Sequence, residues 1–116
     1  MKPKVIEKPW GREEIWAETE FYVGKVLYIE PGHRLSLQHH EEKIETIRVG
    51  FGELELEYGP SPDKLDKITL GPLECFHIPA GMVHRMKAIG IFTEVFEVST
   101  PHLDDVVRHS DDYGRE

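Results

Sequence analysis

Apolar and polar residues alternate with a period of two along most of the chain, most cleanly in Glu53-Leu54-Glu55-Leu56-Glu57-Tyr58 and Thr93-Glu94-Val95-Phe96-Glu97-Val98. Successive side chains of a strand leave opposite faces, so this pattern predicts strands with one face buried and the other wet. Further strands are expected over Tyr22 to Ile29, Leu35 to His40, Glu45 to Val49, Lys67 to Leu70, Glu74 to Ile78 and His84 to Ala88. Pro31-Gly32, Gly50-Phe51-Gly52, Gly59-Pro60-Ser61-Pro62, Gly71-Pro72, Pro79-Ala80-Gly81 and Gly90 break the pattern at short intervals and read as turns. Helical periodicity is confined to one expected turn at Leu103 to Val107, entered from Asp104 or Asp105. An N-terminal strand segment is expected over residues 4–16. The polar tail, residues 110–116, is expected to be loosely held unless a partner or a barrel rim binds it.

About eight or more short antiparallel strands in 116 residues must hide their edges. A single all-β domain over residues 1–116 is therefore expected, either a closed barrel or a two-sheet jelly roll. Gly32, Gly52 and Gly81 fall in turns that call for positive φ or close backbone approach. Trp10 and Trp16 are expected to cap or cover the barrel.

The formal net charge of -8 argues against nucleic-acid and anionic-membrane binding, both of which draw on basic surface. It leaves room for a small phosphorylated ligand, because Lys25, Arg34, Lys43, Arg48 and Arg85 cluster in or near the segments that carry the chemistry. Cys75 is the single cysteine, so no intramolecular disulfide forms; followed by Phe76 and Ile78, it suits an apolar setting and a reducing compartment. The first residues lack an apolar signal region, and no window has the length of a membrane span. A soluble cytoplasmic protein is expected.

Gln38 and His40 are two residues apart and leave the same face of a strand, whereas His39 leaves the other. Glu45 lies beyond a bend at Glu41 to Lys43, and His84 lies just past the Pro79-Ala80-Gly81 turn. Together they offer an amide oxygen, two imidazoles and a carboxylate, a mixed N/O set for one divalent metal ion such as Zn, Mn, Co, Ni or Fe. Each residue alone has a plainer reading. Gln38 and His40 have the parity opposite to Leu35 and Leu37 and suit a wet strand face, Glu45 suits a solvated charge, and His84 suits a loop. It is the four together that favour a shared site. His33, His39, His77, His102 and His109 fall outside it.

The spacing Gly32-x5-Gln38-x-His40-x4-Glu45-x6-Gly52, with Pro79-x-Gly81-x2-His84 further on, resembles the two cupin motifs, with Gln38 where many cupins have histidine. A closer resemblance runs through Lys8-Pro9-Trp10-Gly11, Glu13-Glu14-Ile15-Trp16, Arg34-Leu35-Ser36-Leu37-Gln38, Ile78-Pro79, His84-Arg85, Asp104-Asp105-Val106-Val107-Arg108 and Tyr113-Gly114-Arg115. On these residues the chain is similar to the cupin domain of type II phosphomannose isomerases, usually the C-terminal part of a longer chain that begins with a sugar-phosphate nucleotidyltransferase. The resemblance implies a jelly-roll barrel, a divalent metal held by Gln38, His40, Glu45 and His84, and a sugar-phosphate substrate. Lys43-Ile44-Glu45-Thr46-Ile47 stands where that family tends to have a pattern like Arg-x-Glu-x-Trp, and lysine does not reproduce an arginine fork.

The activity implied is mannose 6-phosphate/fructose 6-phosphate interconversion through an enediolate. Lys25, Arg34 and Arg85 are the phosphate candidates. The base is not identified, with Glu97, His33, His77 and Lys25 all open. Two other classes stay open: a non-catalytic sugar or sugar-phosphate binding module, and a metal-dependent cupin oxygenase or epimerase, which Gln38 disfavours relative to a three-histidine set. A homodimer is expected, with the 4–16 segment adding to a neighbour's sheet.

Overall fold

The computed structural model describes residues 2–115, and among these there is no helix. Eleven strands form: β1 (Lys4–Lys8), β2 (Gly11–Glu18), β3 (Val23–Ile29), β4 (Leu37–His39), β5 (Glu45–Phe51), β6 (Leu54–Ser61), β7 (Lys64–Leu70), β8 (Cys75–Ile78), β9 (Val83–Ala88), β10 (Thr93–Ser99) and β11 (Val107–Ser110). They build two sheets, ordered β1-β2-β3-β10-β5-β8 and β11-β4-β9-β6-β7, with antiparallel pairing throughout. The jelly-roll architecture follows from period-two burial. Leu27 and Ile29 of β3, Ile47 and Val49 of β5, Leu54 and Leu56 of β6, Met86 and Ala88 of β9 and Val95 of β10 meet in one core between the sheets.

Further along four of those strands, inward positions change character. β3 places Lys25 before Leu27, β5 places Glu45 before Ile47, β9 places His84 before Met86, and β10 places Glu97 after Val95; all four polar residues are buried. Antiparallel pairing aligns these polar ends, Glu97 with Lys25 and with Ile47 as Cα partners, and Ser99 with Glu45. One end of the barrel is thus an aliphatic plug and the other a buried polar cup.

Residues 4–16 fold as a hairpin, β1 on β2, and β2 pairs with β3 of the same chain, which leaves β1 an edge strand of its own sheet. Other expectations need correcting. Leu103 to Val107 is a tight turn leading into β11, because Asp105 directs its carboxylate to the 41–43 loop instead of capping a helix. The Gly59 to Pro62 region is not all turn: β6 runs to Ser61, a register shift between Tyr58 and Ser61 accommodating Pro60. Cys75 is exposed, since it shares its outward parity with His77 while Phe76 and Ile78 face in. Trp10 joins the core, but Trp16 lies on the outer face of the six-stranded sheet. Part of the polar tail is held by the barrel rim: β11 pairs with β4, and Arg34 forms a forked ion pair with Asp112 at 2.6 and 2.9 Å.

Candidate metal centre

Two turns bring the candidate ligands together. β4 ends at His39, so His40 enters the 41–44 bend with its imidazole buried, and Glu45 opens β5 on the opposite sheet. Gly81 adopts φ of +84°, open to glycine at no steric penalty, and its N–H donates to the His40 carbonyl at 2.8 Å. That bond staples the turn before β9 to the strand end carrying His40. His84 then faces Gln38, its Cα partner in the ladder.

His40, Glu45 and His84 are all buried, and one ligand atom from each lies within 4.8 Å of the others. His40 Nε2 is 3.7 Å from Glu45 Oε2, and His84 Nε2 is 3.6 Å from Glu45 Oε1. The Nδ1 of His40 faces the Asp105 carbonyl and the Nδ1 of His84 faces the Met82 carbonyl. A carbonyl only accepts, so both Nδ1 atoms carry the proton and both Nε2 lone pairs point at the carboxylate. Burial keeps the imidazoles neutral. His40 is pushed below the usual histidine range by burial and by Lys43, and His84 is pushed down to about 4, chiefly by burial. Neutral imidazoles are what a cation requires of its ligands.

Lys43 lies beside the cluster, its Nζ 2.9 Å from Glu45 Oε2 and 3.0 Å from Glu97 Oε2. Lys25 continues the chain of charges, 3.7 Å from Glu97 and 3.4 Å from Glu13. Burial pushes Glu45 up to about 7, and the neighbouring Glu97 carboxylate adds to this. Burial also opposes ionisation of Glu97, but the Lys25 and Lys43 ammoniums outweigh it and hold that group down at about 2. Although close to Lys43, Glu45 Oε2 and Glu97 Oε2 accept no well-angled hydrogen bond. Two neutral imidazole nitrogens, one facing each oxygen of a buried carboxylate whose Oε2 lacks a hydrogen bond, fit a divalent cation by donor type and by burial.

The cluster forms part of the floor of a cavity of about 110 Å³ whose lining includes Gln38, Lys25, Lys43, Glu97, Glu13 and Trp10, with Lys8, Arg108 and Arg115 also contributing. Gln38 presents its amide to this space, with Nε2 donating to Ser36 Oγ at 3.0 Å. Of the phosphate candidates, only Lys25 lines the cavity. Arg34 is committed to Asp112, and Arg85 donates Nε–H to the Leu35 carbonyl and an Nη2 hydrogen to the Ser110 carbonyl. Of the base candidates, Glu97 and Lys25 line it. His33 stacks with Tyr113, and His77 bonds Thr46, both away from the cavity.

Sequence reasoning met Glu13, Asp105, Arg108 and Arg115 only within the family motifs and counted Lys43 among the nearby cations, without assigning any of them a role in the site. For Lys25 and Glu97 the signal was present: each stands in the inward register of an otherwise apolar strand. Arg108 and Arg115 carry no such signal, because a rim position has no burial periodicity.

The two-sheet barrel has the cupin jelly-roll fold. A family model described as mannose-6-phosphate isomerase C-terminal matches residues 2–111, and the chain belongs to that family. It is 31% identical over 114 residues to the xanthan biosynthesis protein XanB of Xanthomonas campestris pv. campestris and 32% identical over 114 residues to a mannose-1-phosphate guanylyltransferase of Escherichia coli K12. In both comparisons the match covers 95% of this chain but only 23% of the relative's length. Among solved structures, the capsular polysaccharide assembling protein CapF of Staphylococcus aureus superposes with a TM-score of 0.84 at 17% identity, over 95% of this chain and 32% of CapF, a likeness of fold.

Proposed function

We propose that this domain is a divalent-cation-dependent sugar-phosphate isomerase that interconverts mannose 6-phosphate and fructose 6-phosphate. The observation that carries the reading is the buried His40, Glu45 and His84 cluster, both imidazoles locked with Nε2 inward, set against the separately ionised Glu97 in a chain of the mannose-6-phosphate isomerase C-terminal family. His40, Glu45, His84 and Gln38 would hold the cation. When bound, a divalent cation would act as a Lewis acid toward the C1 and C2 oxygens of the sugar, making the C2–H of the aldose, or the C1–H of the ketose, easier to remove.

The chain's own residues supply the rest. The cavity is smaller than the roughly 300–1,000 Å³ of typical ligand pockets, so it suits the reacting end of an open-chain sugar. The phosphate end would then lie outward, toward Lys8 and Arg108, with Arg115 held at the same rim by its ion pair with Asp111. Lys43, held as an ammonium by Glu45 and Glu97, and Lys25 would donate hydrogen bonds to sugar oxygens. Of the cavity carboxylates that are not candidate ligands, Glu13 and Glu97, Glu97 is the one joined to the cluster through Lys43, and it would carry a proton from C2 to C1. Its low basicity is a handicap, relieved when a sugar oxygen draws the Lys43 ammonium away.

That same pairing of Glu97 with two lysines favours a second reading, a site that binds the sugar phosphate without proton transfer. The deciding experiment measures mannose 6-phosphate turnover and binding together. Turnover abolished by chelation, restored by Mn²⁺ or Zn²⁺ and lost in Glu97→Gln with binding intact supports the isomerase. Cation-dependent binding with no turnover supports the binding module, and a protein that neither binds nor turns over the sugar defeats both.

A further inference from the structure

The outer face of the six-stranded sheet carries an exposed apolar patch, Trp16, Phe96 and Val98, between charged residues. Inward positions on its central strands are taken by Glu13, Lys25, Leu27, Ile47, Val95 and Glu97, so the opposite parity faces out: Glu14 and Trp16 on β2, Val26 on β3, Phe96 and Val98 on β10, Arg48 on β5. Trp16 is 57% exposed, Phe96 41% and Val98 55%. Two glycines flatten this face. A Cβ on Gly24 would meet the Trp16 indole at 2.9 Å, and one on Gly50 would meet the Phe96 ring at 2.5 Å, so both rings lie down over glycine backbone instead of standing off the sheet. Flat apolar sheet faces are what stack in sandwiches.

We propose that this face is covered by a second copy of the chain, related by a two-fold axis that runs along the strands between β3 and β10. The pairing register supplies the reason. In one row across the sheet, Glu14, Val26, Phe96 and Arg48 are successive Cα partners on β2, β3, β10 and β5. The acid and the base flank the apolar pair symmetrically, each one and a half strands from the axis, or about 7 Å at the usual strand spacing. A two-fold axis in that position turns the row onto itself reversed. Glu14 then faces Arg48 of the second copy and Val26 faces its Phe96, each contact made twice. The next row obeys the same operation: Gly24, covered by Trp16, is the partner of Val98, so the indole of one copy faces Val98 of the other. A face that reads acid, apolar, apolar, base is complementary to its own reversed image. An unrelated partner has no reason to match it, and the edge strand β1 need not pair with anything.

The test is sedimentation of the intact chain at rising micromolar concentration, with folding of every variant checked by circular dichroism. Wild type is expected to be dimeric. Glu14→Arg or Arg48→Glu alone should lose the dimer, the double charge swap should recover it, and Val98→Glu should abolish it, all with β-sheet content unchanged. Acrylamide quenching gives an independent reading, because Trp10 is buried in the core and Trp16 reports the face: quenching should fall as wild type is concentrated and stay constant in Val98→Glu. A monomeric wild type overturns the proposal. So does a dimer that survives both single charge swaps and Val98→Glu, since its contact then lies elsewhere.

Discussion

Asp105 grips the candidate site twice: its main-chain carbonyl accepts the Nδ1–H of His40, and its carboxylate accepts the main-chain N–H groups of Glu41, Glu42 and Lys43 at 3.0, 2.8 and 2.9 Å. One residue from the segment before β11 thereby sets the tautomer of a candidate ligand and the shape of the bend leading to the next. Orienting partners of this kind typically matter 10–100-fold for metal affinity. Asp105→Ala is expected to fold, because the core contributes none of these bonds, yet to bind Zn²⁺ or Mn²⁺ at least about tenfold more weakly by calorimetry. Unchanged affinity would separate the 105 segment from the site.

Lys43 gives a prediction with two signs. Its ammonium is buried between Glu45 and Glu97, and removing one partner of such a cluster leaves like charges unscreened, typically a loss of about 3–5 kcal/mol. Lys43→Met should therefore unfold at lower urea than wild type in chelator. The same substitution leaves two carboxylates for a cation to neutralise, so added Mn²⁺ should raise the variant's unfolding midpoint more than wild type's. A variant as stable as wild type in chelator would mean that the ammonium is dispensable to the carboxylates.

The turn before β9 tests whether backbone conformation reaches the ligands. Nothing lies within 4 Å of a Cβ built on Gly81, so Gly81→Ala meets no clash, only the strain of positive φ, about 1–2 kcal/mol. If the turn relaxes, the Gly81 N–H leaves the His40 carbonyl and His84 shifts with it. Urea denaturation should show the lost stability and calorimetry a weakened cation. Full affinity at reduced stability would confine the turn's role to folding.

Most of the fold was legible because burial writes itself into sequence at period two. Glu53 to Tyr58 alternates without interruption, and β6 lies there with Leu54 and Leu56 inside; Thr93 to Val98 also forms its expected strand, β10, but Val95 and Phe96 are adjacent and the inward parity carries Glu97. The N-terminal hairpin was less legible, since Lys4–Lys8 is an edge strand largely exposed on both faces and carries little pattern. His40, Glu45 and His84 could be brought together on paper because their spacing with Gly32, Gly52, Pro79 and Gly81 resembles the cupin motifs. The positions of Arg34 and Arg85 could not, as both are decided by residues of the C-terminal segment, Asp112 and Ser110, far away in sequence. A polar rim has no periodicity from which such partners can be read.

The C-terminal segment should also loosen in acid. Hydrogen bonds from the amides of Glu41, Glu42 and Lys43 hold Asp105 down at about 2, the Arg115 guanidinium lowers Asp111, and the Arg34 guanidinium lowers Asp112. For each, the folded state is the weaker proton binder, so its stabilising effect is complete above the unfolded carboxyl value of about 3.9 and disappears as pH falls through the folded value. The sign is therefore loss on acidification, in the window from about pH 4 down to pH 2. The Arg34–Asp112 pair is about one-third exposed and contributes little by itself, but the three acids together fasten β11 and the 41–43 bend. Hydrogen exchange at about pH 3 should show the amides of Glu41, Glu42, Lys43 and β11 opening while β3, β5 and β10 stay protected. In the triple variant Asp105→Asn, Asp111→Asn, Asp112→Asn those amides should already exchange faster at neutral pH and gain little further on acidification. If wild type instead loses β10 protection together with β11, the segment and the barrel melt as one unit, and local fastening by these carboxylates is not what acid removes.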